Sequence, residues 1–200
     1  MRTDTRSKSG HGSREMDSPW KPYLIFGGMI LTAIVAMYAL TYVNTYAASH
    51  IEWSETRVYM SIVMGGAMII IMLGYMWDMY DRLAVNLGLI GLAALMIAAG
   101  TVLVRTQATV QDSSYMSAMI PHHSIAILTS ENSEISDVRV CQLAEGIIKA
   151  QNREIAEMQW LIDDIKENGP ADTPEEAAAR PVPEFPGTSI RTCPVIPTTG

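Results

Sequence analysis

The chain has 200 residues, of which 48% are hydrophobic and only 18% are charged. This charged share is below the usual quarter, and so much apolar bulk is typical of a protein that lies partly in lipid. The formal net charge of −7 argues against a nucleic-acid-binding protein, which would carry a basic face. Two cysteines are too few for a disulfide scaffold or a thiolate zinc site. The 14 methionines against 2 phenylalanines make flexible thioethers a large part of the apolar volume.

Residues 1–22 are polar and predict a disordered tail. Three uncharged stretches of 26, 20 and 22 residues follow, namely Tyr23–Ala48, Val58–Trp77 and Leu83–Val104. A helix of about 20 apolar residues crosses a bilayer, so each stretch predicts a transmembrane helix. The first is longer than the apolar region of a signal peptide, which indicates an uncleaved anchor. Residues 23–104 therefore form a predicted three-helix membrane domain.

Basic residues at the ends of these spans predict the orientation of the chain. The N-terminal tail carries a basic cluster, and the connection between the second and third spans adds Arg82. The opposite side carries only Arg57 and Arg105 close to the spans. The positive-inside rule then places the N-terminus in the cytoplasm and everything after Val104 outside it.

The segment from residue 105 to residue 168 is polar, net acidic and helical in pattern. Its second half carries apolar side chains at alternating steps of three and four, which predicts an amphipathic helix. Ser136 and Asp137 provide the N-cap of this helix, and Gly169 followed by Pro170 ends it. The predicted stripe comprises Val140, Leu143, Ile147, Gln151, Ile155, Met158, Ile162 and Ile165.

The first half of the same segment predicts another helix over residues 112–130. Pro121 removes a backbone donor there, which predicts a kink or a new helix start. The expected fold class is therefore all-α, with three transmembrane helices followed by an extracytoplasmic helical hairpin. One face of this first hairpin helix carries Met116, Met119, His123 and Ile127.

A two-helix hairpin cannot cover both of its apolar stripes, because a domain needs two packed layers around a core. Pairing of two hairpins into a four-helix bundle solves this, and a homodimer is therefore expected, with Ile147, Ile155 and Ile162 in its seam. Packing of the hairpin against the membrane helices is the competing solution.

Residues 169–200 contain 7 of the 10 prolines and predict a Pro-rich disordered or extended tail. The chain's two cysteines fall on either side of this boundary, in the second hairpin helix and in the tail. Outside the cytoplasm, Cys141 and Cys193 can form a disulfide that ties the tail to the helix. The alternative is that Cys141 is a small apolar filler.

Thioether and imidazole groups converge on the first hairpin helix. Met116, Met119 and His123 fall on one side of it, with His122 adjacent. Thioether sulfur and imidazole nitrogen together suit Cu(I), and more loosely Cu(II). The second helix adds Gln151, Glu154 and Met158 at helical spacing. The alternative is that the methionines fill the core and the histidines are polar groups beside Pro121.

These residues also form a pattern that resembles a known family. The run 119–126, which reads MIPHHSIA, is followed by Leu143-Ala144, Ile147-Ile148, Gln151, Glu154-Ile155 and Met158. This pattern resembles the signature of domain-of-unknown-function family 305 over about residues 112–165, and the three preceding helices resemble its membrane-anchored branch.

That resemblance implies a ferritin-like half-bundle in a mostly bacterial family of periplasmic proteins linked to copper binding and tolerance. It implies a multi-pass protein of the bacterial inner membrane that binds copper, with Cu(I) favoured. The implied metal ligands are His122, His123, Met116, Met119 and Met158. Asp112, Gln151 and Glu154 are possible secondary ligands.

The function expected from these observations is copper sequestration, handling or tolerance, without catalysis. A ferritin-like di-iron oxidase needs Glu-x-x-His pairs, and neither His122 nor His123 has Glu three residues before it. The expected partners are the lipid bilayer, a second copy of the chain and an unidentified metal-handling protein, but no nucleic acid. Two alternatives stay open: a structural or partner-binding membrane protein, and a redox enzyme that uses copper at the same site.

Methionines also recur every four residues in the second span, from Met60 to Met76. Such a ridge winds around the helix and packs into grooves, and the third span offers Gly88, Gly91 and Gly100 to receive it. The alternative is a ladder that passes copper. In the first outer loop, His50, Glu52 and Glu55 are a weaker candidate metal site, and a short solvated loop is the favoured alternative.

Overall fold

A computed structural model describes residues 18–195, and within that range it contains helices and no strands. The prediction for residues 1–17 lies outside the described residues. The all-α fold class is confirmed, as is the order of three long apolar helices followed by further helices. The helices are α1 (Lys21–Leu40), α2 (Glu55–Tyr75), α3 (Leu83–Thr106), α4 (Asp112–Asn132), α5 (Val138–Asn168) and α6 (Pro174–Ala179).

Helices α1, α2 and α3 are long and apolar enough to cross a membrane, with mean hydropathies of 2.1, 1.9 and 2.4. The first helix ends at Leu40 and not at Ala48 as expected. Polar side chains explain the difference, because Thr41 Oγ1 donates to the carbonyl of Tyr38 and Thr45 Oγ1 donates to the carbonyl of Tyr42. Such side-chain bonds to the backbone compete with helix continuation.

Helix α2 packs against both α1 and α3. The methionine ridge of α2 contributes to this packing, since Met68, Met72 and Met76 lie against the buried core. This is the arrangement expected of a packing ridge. The core residues are Phe26, Ile30, Ile69, Leu73, Tyr80 and Ala93.

Close approach of α2 and α3 depends on Gly66 of α2 and on Gly100, which is one of the three α3 glycines expected at this contact. A Cβ atom on Gly66 would lie 2.9 Å from the Ala93 carbonyl oxygen, and one on Gly100 would lie 2.7 Å from Val63 Cγ2. Gly88 and Gly91 have open space around them, so the prediction that they receive the methionine ridge is wrong. They are exposed, on a part of the α3 surface that packs against no other described residue.

Aromatic side chains gather at both ends of the three-helix unit. Aromatic residues at both ends of membrane helices are typical of the two membrane–water interfaces. At the end where the chain enters α1 they are Trp20, Tyr23, Tyr75, Trp77 and Tyr80. At the end facing the hairpin they are Tyr38, Tyr42, Tyr46, Trp53 and Tyr59.

Helices α4 and α5 form the predicted hairpin around a buried cluster of four isoleucines. Asp137 caps α5 by accepting the backbone N–H of Arg139 at 2.8 Å. Helix α4 runs without interruption through the buried Pro121, so no new helix starts there. The cluster is Ile120, Ile127, Ile148 and Ile155.

The buried face of α5 differs from the predicted stripe in its first half. Cys141, Ala144 and Ile148 are buried, whereas Val140 and Leu143 are 48% and 64% exposed. Ile155 belongs to the hairpin core, so its placement in a dimer seam is wrong. The sequence of α5 has apolar residues at adjacent positions, such as Ile147 and Ile148, so two overlapping apolar faces are compatible with it. In the structure, α4 packs against the face that includes Ile148.

The C-terminal segment, expected as a disordered or extended tail, lies along α5 as far as it is described. Residues 181–195, hereafter the strap, are extended and linked to α5 by a Cys141–Cys193 disulfide. Asn152 Nδ2 donates to the Thr188 carbonyl at 2.8 Å. These are long-range contacts, which local composition does not reveal.

The hairpin also contacts the loop between α1 and α2. The backbone N–H of Tyr46 donates to Ser124 Oγ at 2.7 Å, and His50 Nδ1 lies 2.9 Å from the same oxygen. Ser124 is fully buried at 0% exposure. The hairpin therefore packs against the unit of α1, α2 and α3, which is hereafter called the membrane unit because its helices are long and apolar enough to cross a bilayer. Such packing was the alternative to dimerisation.

Candidate functional site

The two hairpin helices bring His123 and Glu154 together. His123 Nε2 lies 2.9 Å from Glu154 Oε2, and the two side chains are 14% and 38% exposed. His123 Nδ1 lies 2.9 Å from the carbonyl oxygen of Met119, one turn earlier on α4. A carbonyl oxygen only accepts, so Nδ1 carries a hydrogen and donates it.

This arrangement fixes the chemistry of the imidazole ring. Metal-ligating histidines commonly donate one ring N–H to a backbone carbonyl, which leaves the other nitrogen to bind the metal. In His123 that other nitrogen is Nε2, and it faces a carboxylate oxygen, itself a potential ligand. In the structure the two atoms form a hydrogen bond, which requires one proton between Nε2 and Oε2 that a metal at Nε2 would displace. The pair therefore also suits a purely structural contact between α4 and α5.

The other predicted ligands lie on either side of this pair. Met119 and the exposed His122 line a cleft of about 630 Å³ between the hairpin and the membrane unit. Met116 and Met158 line a second cleft, of about 690 Å³, between α4, α5 and α6. Asp112 borders both clefts. The five predicted ligands thus fall into three neighbouring places along the hairpin.

Gln151 lies half-buried on α5, one turn before Glu154. Within residues 18–195 there is no group of three or more His, Cys, Asp or Glu side chains placed to hold a metal ion. The thioethers of the nearby methionines and the amide of Gln151 are the further donor groups that the hairpin offers besides His123 and Glu154.

The weaker candidate in the first loop is arranged differently from a metal site. His50 contacts Ser124, and burial lowers the pKa of His50 below its usual value of 6.5. Glu55 Oε1 lies 3.4 Å from Ser114 Oγ, which donates to it. The structure therefore uses His50 and Glu55 to join the loop and α2 to α4.

Sequence analysis missed two residues that hold the hairpin in place. Ser124 joins the loop to α4, and the only signal in the sequence was its position directly after the two histidines. Arg191 of the strap donates to the carbonyls of Glu131 and Ser133 at 2.8 Å and 2.7 Å, which satisfies carbonyls at the end of α4. No local pattern marks Arg191, because its acceptors lie about 60 residues earlier in the chain.

The amino-acid sequence of the chain is similar to those of other proteins. A family described as "Domain of unknown function (DUF305)" matches residues 95–176, which include all of α4 and α5. The "Uncharacterized protein L153" of Acanthamoeba polyphaga mimivirus is 32% identical over 149 residues, covering 69% of this chain and 93% of that protein. No solved structure matches the chain.

Proposed function

This chain belongs to the DUF305 family, and from that membership and the hairpin geometry we propose a membrane-anchored protein that binds copper outside the cytoplasm. Its role is copper sequestration, handling or tolerance, without catalysis. The observation that carries the proposal is the orientation of His123, whose Nδ1 is held by the Met119 carbonyl while Nε2 faces Glu154.

The donors around His123 fit copper better than a hard cation. His123 supplies imidazole nitrogen, and Met158 lies one turn beyond Glu154 on the same helix. Imidazole and thioether donors suit Cu(I), and a carboxylate adds capacity for Cu(II). Copper binding at Nε2 would replace the hydrogen bond to Glu154. His122, Met116 and Met119 are the further proposed donors. Asp112 and Gln151 are proposed as secondary ligands.

Two observations support placing the hairpin outside the cytoplasm. Disulfides persist in oxidising compartments, and Cys141 is bonded to Cys193. Basic residues cluster in the N-terminal tail, which favours a cytoplasmic N-terminus. The location that we propose is a bacterial inner membrane, crossed three times.

The test is a Cu(I) titration of the full-length protein in detergent, in competition with a chromogenic chelator. We expect His123→Ala to weaken copper binding by about 10-fold or more, in line with the effect of disturbing a metal site. Met158→Leu should weaken it while keeping volume and apolarity. The matched controls are His11→Ala in the N-terminal tail and Met72→Leu in α2, which remove an imidazole and a thioether away from the hairpin.

Unchanged copper affinity in folded His123→Ala and Met158→Leu variants would overturn the proposal. Circular dichroism checks that each variant keeps its helix content. Glu154→Gln serves if His123→Ala does not fold, because it retains the size of the side chain and removes the carboxylate.

A second candidate is a structural or partner-binding membrane protein. It is favoured by the two hydrogen bonds that already occupy both nitrogens of His123, and by the packing of Met158 against the isoleucine cluster. On this alternative, His123→Ala lowers the stability of the hairpin and leaves copper affinity unchanged. The titration above therefore separates the two functions.

Homodimerisation stays part of the proposal, through a different surface from the one expected. Val140 and Leu143 are exposed at the start of α5, on a flank that neither α4 nor the strap covers. Pairing of this flank with its copy would bury both side chains.

A further inference from the structure

The strap is joined to the hairpin by a disulfide and by a small number of polar contacts. Four described hydrogen bonds link the two, and all of them involve residues 186–195, hereafter the distal strap. Gln142 Nε2 donates to the Pro194 carbonyl at 3.2 Å. Asn152 Nδ2 donates to the Thr188 carbonyl at 2.8 Å. The strap itself donates the other two.

These hydrogen bonds are too few to hold the distal strap by themselves. Fixing the backbone of one residue costs about as much free energy as one net hydrogen bond contributes, and here four bonds fix the ten residues 186–195. Apolar burial adds little, because Ile190 and Val195 are 77% and 87% exposed. Phe185 is half-buried beside α5, but it precedes the distal strap. The Cys141–Cys193 disulfide is therefore the bond that keeps the distal strap in place.

The disulfide also fixes the position of the Arg191 guanidinium. Arg191 Nη2 donates to the carbonyls of Glu131 and Ser133 at 2.8 Å and 2.7 Å, where α4 ends. Its Nε is buried and has no hydrogen-bond partner within residues 18–195. A buried donor without a partner costs free energy, so this placement is weaker than its two hydrogen bonds suggest. Cys193 lies two residues later, and its bond to α5 holds Arg191 at the end of α4.

The two sulfur atoms of the disulfide differ in accessibility. Cys141 is 7% exposed, whereas Cys193 is only half-buried. Thiol–disulfide exchange begins when a thiolate attacks one sulfur, and access helps to decide which sulfur is attacked. An external thiolate therefore reaches Cys193 first, and Cys141 is the leaving group.

We propose that this disulfide is a redox switch operated by a dithiol. One thiolate of the dithiol attacks Cys193 Sγ, which forms a mixed disulfide and releases Cys141 as a thiolate that takes up a proton. The second thiol attacks the dithiol's own sulfur in the mixed disulfide and releases Cys193. Two electrons and two protons thus pass to the chain, and the dithiol becomes a disulfide. Reduction frees the distal strap and withdraws Arg191 from α4, and this inference does not depend on copper binding.

Trypsin tests the switch, because it cleaves after Arg191 only when that side chain leaves the hairpin. The full-length protein in detergent is digested either oxidised or after reduction with dithiothreitol and alkylation, and mass spectrometry follows the fragments and counts the alkylated thiols. We expect cleavage after Arg191 to be faster by about tenfold or more in the reduced protein, since proteolysis tracks the population of the open form. Cleavage after Lys166 of α5 should stay unchanged, because the isoleucine cluster still holds the hairpin.

Two variants separate the disulfide from the hydrogen bonds. The double variant Cys141→Ser, Cys193→Ser removes the disulfide without a reductant or an alkylating group, and it should be cleaved after Arg191 as fast as the reduced protein. The matched control is Asn152→Ala, which removes one hydrogen bond and keeps the disulfide. It should be cleaved close to the rate of the oxidised wild type.

Equal cleavage after Arg191 in the oxidised and reduced proteins would overturn the proposal. A parallel increase after Lys166 would also overturn it, because reduction would then unfold the hairpin and not release the strap alone. Brief exposure to reduced glutathione, a monothiol that stops at the mixed disulfide, tests the site of attack. The adduct is expected on Cys193, and an adduct on Cys141 would contradict the proposed order of steps.

Discussion

Adjacent residues of α4 make contacts in two different directions. His123 contacts Glu154 on α5, whereas the next residue, Ser124, contacts the loop between α1 and α2. The Ser124 hydroxyl is shared by the backbone N–H of Tyr46 and by His50 Nδ1. The position of His123 is therefore tied to the membrane unit through its neighbour.

The His50 contact predicts a pH dependence of stability. Burial lowers the pKa of His50 from its usual 6.5, so the unfolded chain takes up a proton more readily than the folded one. The stability from neutral His50 is fully present above pH 6.5 and is lost as the pH falls through and below that value. Thermal unfolding between pH 7.5 and 5 should show a steeper loss for the wild type than for His50→Gln. Equal slopes in the two proteins would contradict this prediction.

At the scale of elements, the contact between α2 and α3 depends on small residues at close range. A Cβ on Gly66 would meet a backbone carbonyl oxygen at 2.9 Å and Ile97 Cγ1 at 2.9 Å. A carbonyl oxygen on a packed helix cannot move as a flexible side chain can. The two helices would have to separate.

We expect Gly66→Ala to destabilise the membrane unit by about 1–3 kcal/mol, the usual cost of overpacking. Gly91→Ala is the matched control, because its Cβ would meet nothing within 4 Å. Alanine there should be neutral or stabilise α3 by up to about 1 kcal/mol through helix propensity. Unfolding of both variants by denaturing detergent measures the difference, and equal stability of the two would show that the close contact is not needed.

Local pattern was enough to predict the helices but not the contacts between distant segments. Helix α3 begins at Leu83 as predicted, because the start of an uncharged stretch can be seen directly in the sequence. The face of α5 was predicted only in its second half, since Ile147 and Ile148 are equally apolar and only the position of α4 distinguishes them. The sequence predicted His123 as a candidate ligand from the methionines and histidine near it. Its contact with Glu154 could not be predicted, because it depends on how closely α4 and α5 pack.

At the scale of the whole molecule, the hairpin is enclosed on two sides. The first loop covers part of α4, and the strap covers one flank of α5 through Asn152 and Cys141. The remaining flank of α5 carries the exposed Val140 and Leu143. This is the surface on which a second copy of the chain is expected.

Leu143→Asp should therefore convert a dimer into a monomer, because a buried carboxylate without a partner costs several kcal/mol. Sedimentation of the detergent-solubilised protein measures the change. The matched control is Ile190→Asp, which places the same charge at an exposed apolar position of the strap. A wild-type protein that sediments as a monomer at micromolar concentration would contradict the expectation.

The disulfide sets an order of events during biogenesis. Cys193 follows Cys141 by 52 residues, and all of α5 after Cys141 and all of α6 lie between them. The ribosome must synthesise this whole segment before the two sulfur atoms can form a bond. The isoleucine contacts between α4 and α5, by contrast, form from residues made earlier. The covalent bond can therefore form only after all of α4 and α5 have been synthesised, so it secures a hairpin whose isoleucine contacts can form before it.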